Sequence, residues 1–235
     1  MPQAAQEPFG IYPVGEIVEN LCKIDDAAWA RYAFLREPLN GKFNDPQRLE
    51  LTRKALACGS EIAAGCVRQH GTSDPALLAQ RLQLMVAYPA TPQNLDRVLF
   101  AEYREPNLIR VYMDCLNRAE KLFCEPGVAA ALGDGGQIKN LLIAHELYHH
   151  LEKQLEKEVW TRAYRVTLWK LGPIRNRSTV SALSEIAAMG FSKELTGVPY
   201  SPYVLDAFLV YGYSPQIASE LYEEMMRFAK EPYES

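Results

Sequence analysis

The sequence predicts an α+β fold that is mainly helical and carries one small, largely antiparallel three-stranded sheet. Three observations lead there. Apolar residues recur at three- and four-residue spacings over most of the chain. Short β-rich runs are confined to residues 84–113. These runs are separated by turn-forming segments, Pro89 to Asn94 and Arg104-Glu105-Pro106-Asn107. At 235 residues the chain is long enough to bury a sizeable core.

Taken in order, residues 1–15 carry three prolines and two glycines and read as an irregular lead-in. They have neither a basic start nor an apolar stretch, so no secretion signal is expected. Ile17, Leu21, Ile24, Ala28, Trp29, Tyr32 and Leu35 form the apolar stripe of a helix from Gly15 to Arg36. Pro38-Leu39-Asn40-Gly41 is a turn. Asp45-Pro46 then supplies an N-cap and a first-turn proline for a helix through Gln69, stopped by His70-Gly71. Ser73-Asp74-Pro75 repeats the start signal for a short helix, Ala76 to Leu82, that runs into a strand from Leu84 to Tyr88. Val98 to Tyr103 and Leu108 to Met113 form a hairpin.

Helical spacing resumes from Asp114 to Phe123, and Gly127 to Gly136 reads as a bend before a further helix around Ile138 to Leu151. Trp160 to Leu171 mixes aromatic and basic residues without a clear period, and Gly172-Pro173 breaks it. A helix follows from Ser178 to Leu195, stopped by Gly197-Val198-Pro199. Two shorter helices, Pro202 to Val210 and Pro215 to Lys230, precede a charged tail.

Composition narrows the function classes. Hydrophobic residues make up 48% of the chain, charged residues 23%, and the net charge is −4. No Lys/Arg cluster stands out, so direct nucleic-acid binding is not expected. No window approaches eighteen uninterrupted apolar residues, so no membrane span is expected. Five cysteines at scattered positions fit a reducing cytoplasm better than a disulfide framework. Cys58 and Cys66, eight apart on one helix, read as core residues and not as a redox pair.

One stretch carries chemistry. Between Leu141 and His150 lie three of the four histidines, in the pattern His145-Glu146-x-x-His149. On a helix, residues four apart share a face and rise about 6 Å, so both imidazoles can reach one ion. Glu146 is rotated about 100° and can hold a water without being a ligand. Two neutral imidazoles suit Zn2+, which lowers the pKa of a bound water towards about 7. Ile138, Leu141, Leu142, Leu147 and Leu151 give the helix its packing, and Lys153, Gln154, Glu156 and Lys157 its solvated end. His150, about 140° from His145, reads as a polar position or an outer support.

A catalytic zinc site takes three protein ligands and leaves one position open. His70, beside a helix-stopping glycine, reads as a cap. Glu152 returns to the face of His145 but sits about 10.5 Å along the axis, too far for a shared ion. Glu185 is the better candidate, because a mid-helix carboxylate among Ala182, Leu183, Ile186, Ala187 and Ala188 is costly without a partner. The competing reading pairs Glu185 with Arg175 or Arg177.

With the second glutamate 36 residues after His149, this pattern is similar to that of the gluzincin zinc metallopeptidases, and more narrowly resembles the ImmA/IrrE type of minimal zincin. The resemblance covers residues 74 to 200: helix and strand (Leu77 to Val86), hairpin (Phe100 to Met113), the His-Glu helix, and Glu185-Ile186-Ala187-Ala188 with Phe191 nearby. It implies a zincin-like domain over 73–235, preceded by an N-terminal helical extension, 1–72. It implies that His145, His149 and Glu185 bind zinc, that Glu146 is the general base, and that a cytoplasmic protein or peptide, such as a regulator, is the substrate. Larger gluzincins often carry an aspartate four residues beyond the third ligand. Met189 stands there, so support for a histidine must come from elsewhere. Tyr148, Tyr164 and His150 are candidates for stabilising an oxyanion. The alternative function is a catalytically silent metal-binding module for regulation or interaction, and a third is hydrolysis of a small amide.

Overall fold

The computed structural model describes residues 10–91, 99–172 and 174–230. Its fold is α+β and mostly helical, with two small sheets. Expectations for the lead-in before residue 10, the loop and strand start at 92–98, Pro173 and the terminal tail lie outside the described residues.

The N-terminal region is more broken than its apolar stripe suggests. α1 (Val14–Leu21) ends early, a 3-10 turn runs from Asp26 to Trp29, and α2 (Ala30–Phe34) follows. The reason is local: the Asp25 carboxylate accepts from the Ala27 backbone N–H at 2.9 Å and starts the chain afresh there. α3 (Asp45–His70) begins one residue earlier than expected. Asn44, not Asp45, is its N-cap, in a capping box with Gln47. Gly71, at φ +63°, ends it in the left-handed conformation. α4 (Pro75–Arg81) is capped by Asp74 as read.

β1 (Met85–Ala87), β2 (Ala101–Arg104) and β3 (Leu108–Val111) form the first sheet in the order β1-β3-β2. The β2–β3 hairpin is antiparallel, but β1 pairs with β3 in parallel, so the sheet is mixed and not largely antiparallel. Strand directions alternate along the chain as in a meander. Insertion of β3 beside β1 then makes those two parallel neighbours. α5 (Met113–Leu122) follows, and the glycine-rich bend holds a short helix of its own, α6 (Val128–Leu132), whose Val128 and Leu132 are buried.

α7 (Gly135–Gln154) is capped by Asp134 and buried nearly all round, as befits a central helix. After α8 (Trp160–Ala163), the stretch that resisted assignment forms a second antiparallel sheet, β4 (Val166–Leu171) with β5 (Ile174–Ser178). α9 (Ser181–Thr196), α10 (Val204–Tyr211) and α11 (Pro215–Lys230) complete the chain.

The core runs without a break from α1 to α11, across residue 72. Its tightest crossing is between α3 and α9. A Cβ on Gly59 would stand 1.9 Å from the Ala187 carbonyl oxygen, and one on Gly190 would stand 2.5 Å from that of Leu56. Only glycine allows this approach. α9 has no side-chain cap of its own; instead Glu37 accepts from Ser181 Oγ at 2.7 Å and from the Ala182 N–H at 2.9 Å. The first 72 residues thus fix the height and register of α9 against α7.

Candidate metal centre

α7 and α9 bring three of the expected residues together. His145 Nε2 and His149 Nε2 lie 3.1 Å apart, and Glu185 reaches them at 3.3 Å (Oε2 to His145) and 3.6 Å (Oε1 to His149). Donors about 2.0–2.1 Å from a tetrahedral ion would be separated by about 3.3–3.4 Å. The three separations bracket that value, so the donor set fits one face of a zinc tetrahedron. His70 ends α3 and is not among this group.

The route by which Glu185 was found needs correcting. Its side chain is 56% exposed, so it is not a carboxylate stranded among apolar neighbours. It sits on the solvent-facing side of α9 where that helix overlooks the histidines. Neither Arg175 nor Arg177 pairs with it.

No protein-family model, curated protein or solved structure matches this chain.

Support for His149 comes from α9 and α8 as well as from α7 itself. Ser184 Oγ lies 3.4 Å from His149 Nδ1 and donates to Glu152 at 2.7 Å. Glu152 is fully buried and also accepts from Thr161 at 2.6 Å and from Arg162 at 2.7 Å. A serine whose own proton goes to Glu152 can only accept from Nδ1, so the chain Arg162–Glu152–Ser184 keeps the proton on Nδ1 and leaves Nε2 free for an ion. Glu152, which its distance along the axis set apart from the ligands, is the anchor of this support; helical spacing alone gave no sign of it because Ser184, Thr161 and Arg162 come from later elements.

Burial and the neighbouring charges set the protonation of the cluster in the metal-free chain. Burial pushes the Glu146 carboxyl up to about 7, although the charge of His145 pulls the other way. The backbone of Tyr103, on β2, hydrogen-bonds to that carboxyl. Burial also pulls His149 down to about 4, so at neutral pH its imidazole is neutral. Burial would lower His145 too, but the hydrogen bond and charge of Glu185 outweigh it and raise it to about 9.

Two of the three oxyanion candidates are committed elsewhere. Tyr148 is fully buried with its hydroxyl 3.2 Å from Thr161 Oγ1. His150 is also buried, Nδ1 lying 3.1 Å from the Tyr103 hydroxyl, where it ties β2 to α7. Tyr164 packs its ring on Trp160 at 5.5 Å. The sequence reading also missed Asp206, which accepts from the Tyr32 hydroxyl at 2.6 Å and whose charge acts on His145, and Tyr203, whose buried hydroxyl has no hydrogen-bond partner among the described residues.

The donor triangle is not sealed. A groove of about 270 Å³ reaches two of its members, His149 and Glu185, and is lined also by Glu152, Thr161, Arg162, Thr179 and Ser184. All five cysteines are free thiols. No helix among the described residues is long and apolar enough to cross a membrane.

Proposed function

We propose that this protein is a zinc-dependent peptidase of gluzincin type, similar to the ImmA/IrrE minimal zincins, acting on a cytoplasmic protein or peptide. The observation that carries the reading is a set of three donors spaced for one tetrahedral ion, two of which, His149 and Glu185, line an open groove. A closed four-ligand site would instead favour a structural or sensing role.

In this reading His145, His149 and Glu185 hold the ion, which supplies a Lewis acid that polarises the substrate carbonyl and acidifies water. Glu146 accepts a proton from the water as its oxygen attacks the carbonyl carbon. It returns that proton to the amide nitrogen as the C–N bond breaks, and the acid and amine so formed exchange the remaining water proton to leave a carboxylate and an ammonium group. A carboxyl held at about 7 suits both steps, because it is poised between taking and giving a proton at neutral pH. β2 is an edge strand among the described residues, and its Tyr103 is tied both to Glu146 and to His150. An extended substrate pairing along β2 would therefore lie beside the base. The proposal names a polypeptide as the partner and includes no direct nucleic-acid partner.

The test is Glu146→Gln. The variant is expected to keep its zinc and to lose hydrolysis of a peptide library by about 10²–10⁴-fold, the usual contribution of a general base. Undiminished turnover in a zinc-loaded variant would sink the mechanism.

A further inference from the structure

The β4–β5 hairpin is the least satisfied part of the molecule. Residues 153–178 carry seven Lys/Arg against two Asp/Glu in a chain whose net charge is −4. The absence of a basic cluster, expected from overall charge, does not hold here. Of these cations, Arg162 is engaged with Glu152, and Lys153 lies 3.8 Å from Glu105 and 3.7 Å from Glu156. Lys157, Arg165, Lys170, Arg175 and Arg177 are exposed and have no ion pair among the described residues.

Register sorts the hairpin into two faces. Trp169 pairs with Asn176 and Leu171 with Ile174, while Lys170 stands directly opposite Arg175. One face is thus apolar at Trp169 (51% exposed), Leu171 (71%) and Ile174 (60%). The other is basic at Lys170, Arg175 and Arg177. Like charges directly across a ladder are destabilising unless something anionic answers them. No acidic side chain among the described residues does.

The hairpin also leads into the site. Thr179, the residue after β5, and Arg162 line the groove that ends at His149 and Glu185, and the same two residues line a second hollow of about 460 Å³ with Lys157 and Arg165. The two hollows share Arg162 and Thr179, so Lys157 and Arg165, with Glu156 beside them, stand next to the groove that reaches His149 and Glu185.

We propose that these hollows and the hairpin bind an acidic segment of the polypeptide substrate, one with apolar side chains beside its carboxylates. The inference rests on the peptidase reading, and it names the substrate class. An anionic lipid surface offers the same charge, and the apolar tip could enter one. A flat bilayer cannot follow cations into a concave groove, whereas an extended chain can, so a polypeptide fits the placement of Lys157 and Arg165 better.

The test is binding, measured on the zinc-loaded, full-length Glu146→Gln chain so that the probe survives. Fluorescence anisotropy of a dye-labelled Glu/Leu repeat peptide is compared with that of its Gln/Leu counterpart. The acidic peptide is expected to bind about tenfold more tightly, and the preference to vanish in Lys170→Glu/Arg175→Glu and to shrink in Arg165→Gln, with zinc content unchanged. Raising the salt should also erase it, which requires no variant to fold. Equal affinity for the two peptides, or a preference that survives the charge reversals, would overturn the proposal. So would binding to phosphatidylserine vesicles with none to either peptide. Acid-selective binding without hydrolysis by the wild-type chain would remove the peptidase reading alone; hydrolysis without acid selectivity would remove this inference alone.

Discussion

α7 and the β4–β5 hairpin are separated by only eleven residues and are built on opposite terms. In α7 every charged group that faces inward is answered: Glu152 by Thr161, Ser184 and Arg162, and His149 by Ser184. In the hairpin, cations face cations and large apolar side chains face water. The first pattern fixes geometry, because each side chain has one low-energy arrangement. The second leaves binding energy unspent for something outside the chain. A molecule that needs three donors within a few ångströms of one point, and a variable partner brought to that point, has use for both.

The contrast can be broken most forcefully from the α9 side. Gly59→Ala would drive a methyl into the Ala187 carbonyl and force α3 and α9 apart, so unfolding by urea should show a loss of about 2–3 kcal/mol or more. Zinc affinity should fall with it, since Glu185 rides on α9. A Gly59→Ala chain as stable as the wild type would mean that the crossing is looser than described.

Next comes the support for His149. Ser184→Ala removes the acceptor for Nδ1 and a donor to buried Glu152, and competition with a chelator should show zinc binding weakened about 10–100-fold. An unchanged affinity would leave the Glu152 chain a purely structural feature.

The third effect depends on pH. His145 is raised from 6.5 to about 9 by Glu185 in the metal-free chain, so its contribution to stability is complete below 6.5 and is lost as pH rises through 9. Zinc must displace that proton. Above pH 8, Glu146 and His149 have already titrated, and zinc affinity should rise with pH until about 9. Calorimetry in buffers of different ionisation heat should register close to one proton released per ion at pH 8. A pH-independent affinity would contradict the His145–Glu185 coupling.

The smallest effect belongs to the hairpin. Leu171→Ser, at a residue 71% exposed, should shift folding stability by less than about 0.5 kcal/mol. A large loss would show the tip to be buried against something.

Much of this was legible in the sequence because it depends on short-range periodicity and capping. Asp74 before Pro75, Gly71 after His70, and the four-residue step from His145 to His149 are local facts, and they became the expected elements. Whatever depends on distant chain was not legible. The apolar stripe from Ile17 to Leu35 concealed the restart at Asp25, because a hydrogen bond over two residues outweighed the period. Parallel pairing of β1 with β3 follows from strand order, which no single run encodes. The hairpin was missed because Trp169, Leu171 and Ile174 do alternate with polar residues, but towards water and not towards a core. Glu185 was expected on the cost of burying a mid-helix carboxylate among apolar residues, but its side chain is 56% exposed, and what marks it is its position across from α7.

Zinc-edge X-ray absorption of the zinc-loaded chain tests the central claim most directly. The donor triangle predicts two imidazole nitrogens and carboxylate or water oxygen at about 2.0–2.1 Å, with no sulfur shell. A shell at about 2.3 Å would mean that one of the five free cysteines, and not the His145–His149–Glu185 set, holds the ion.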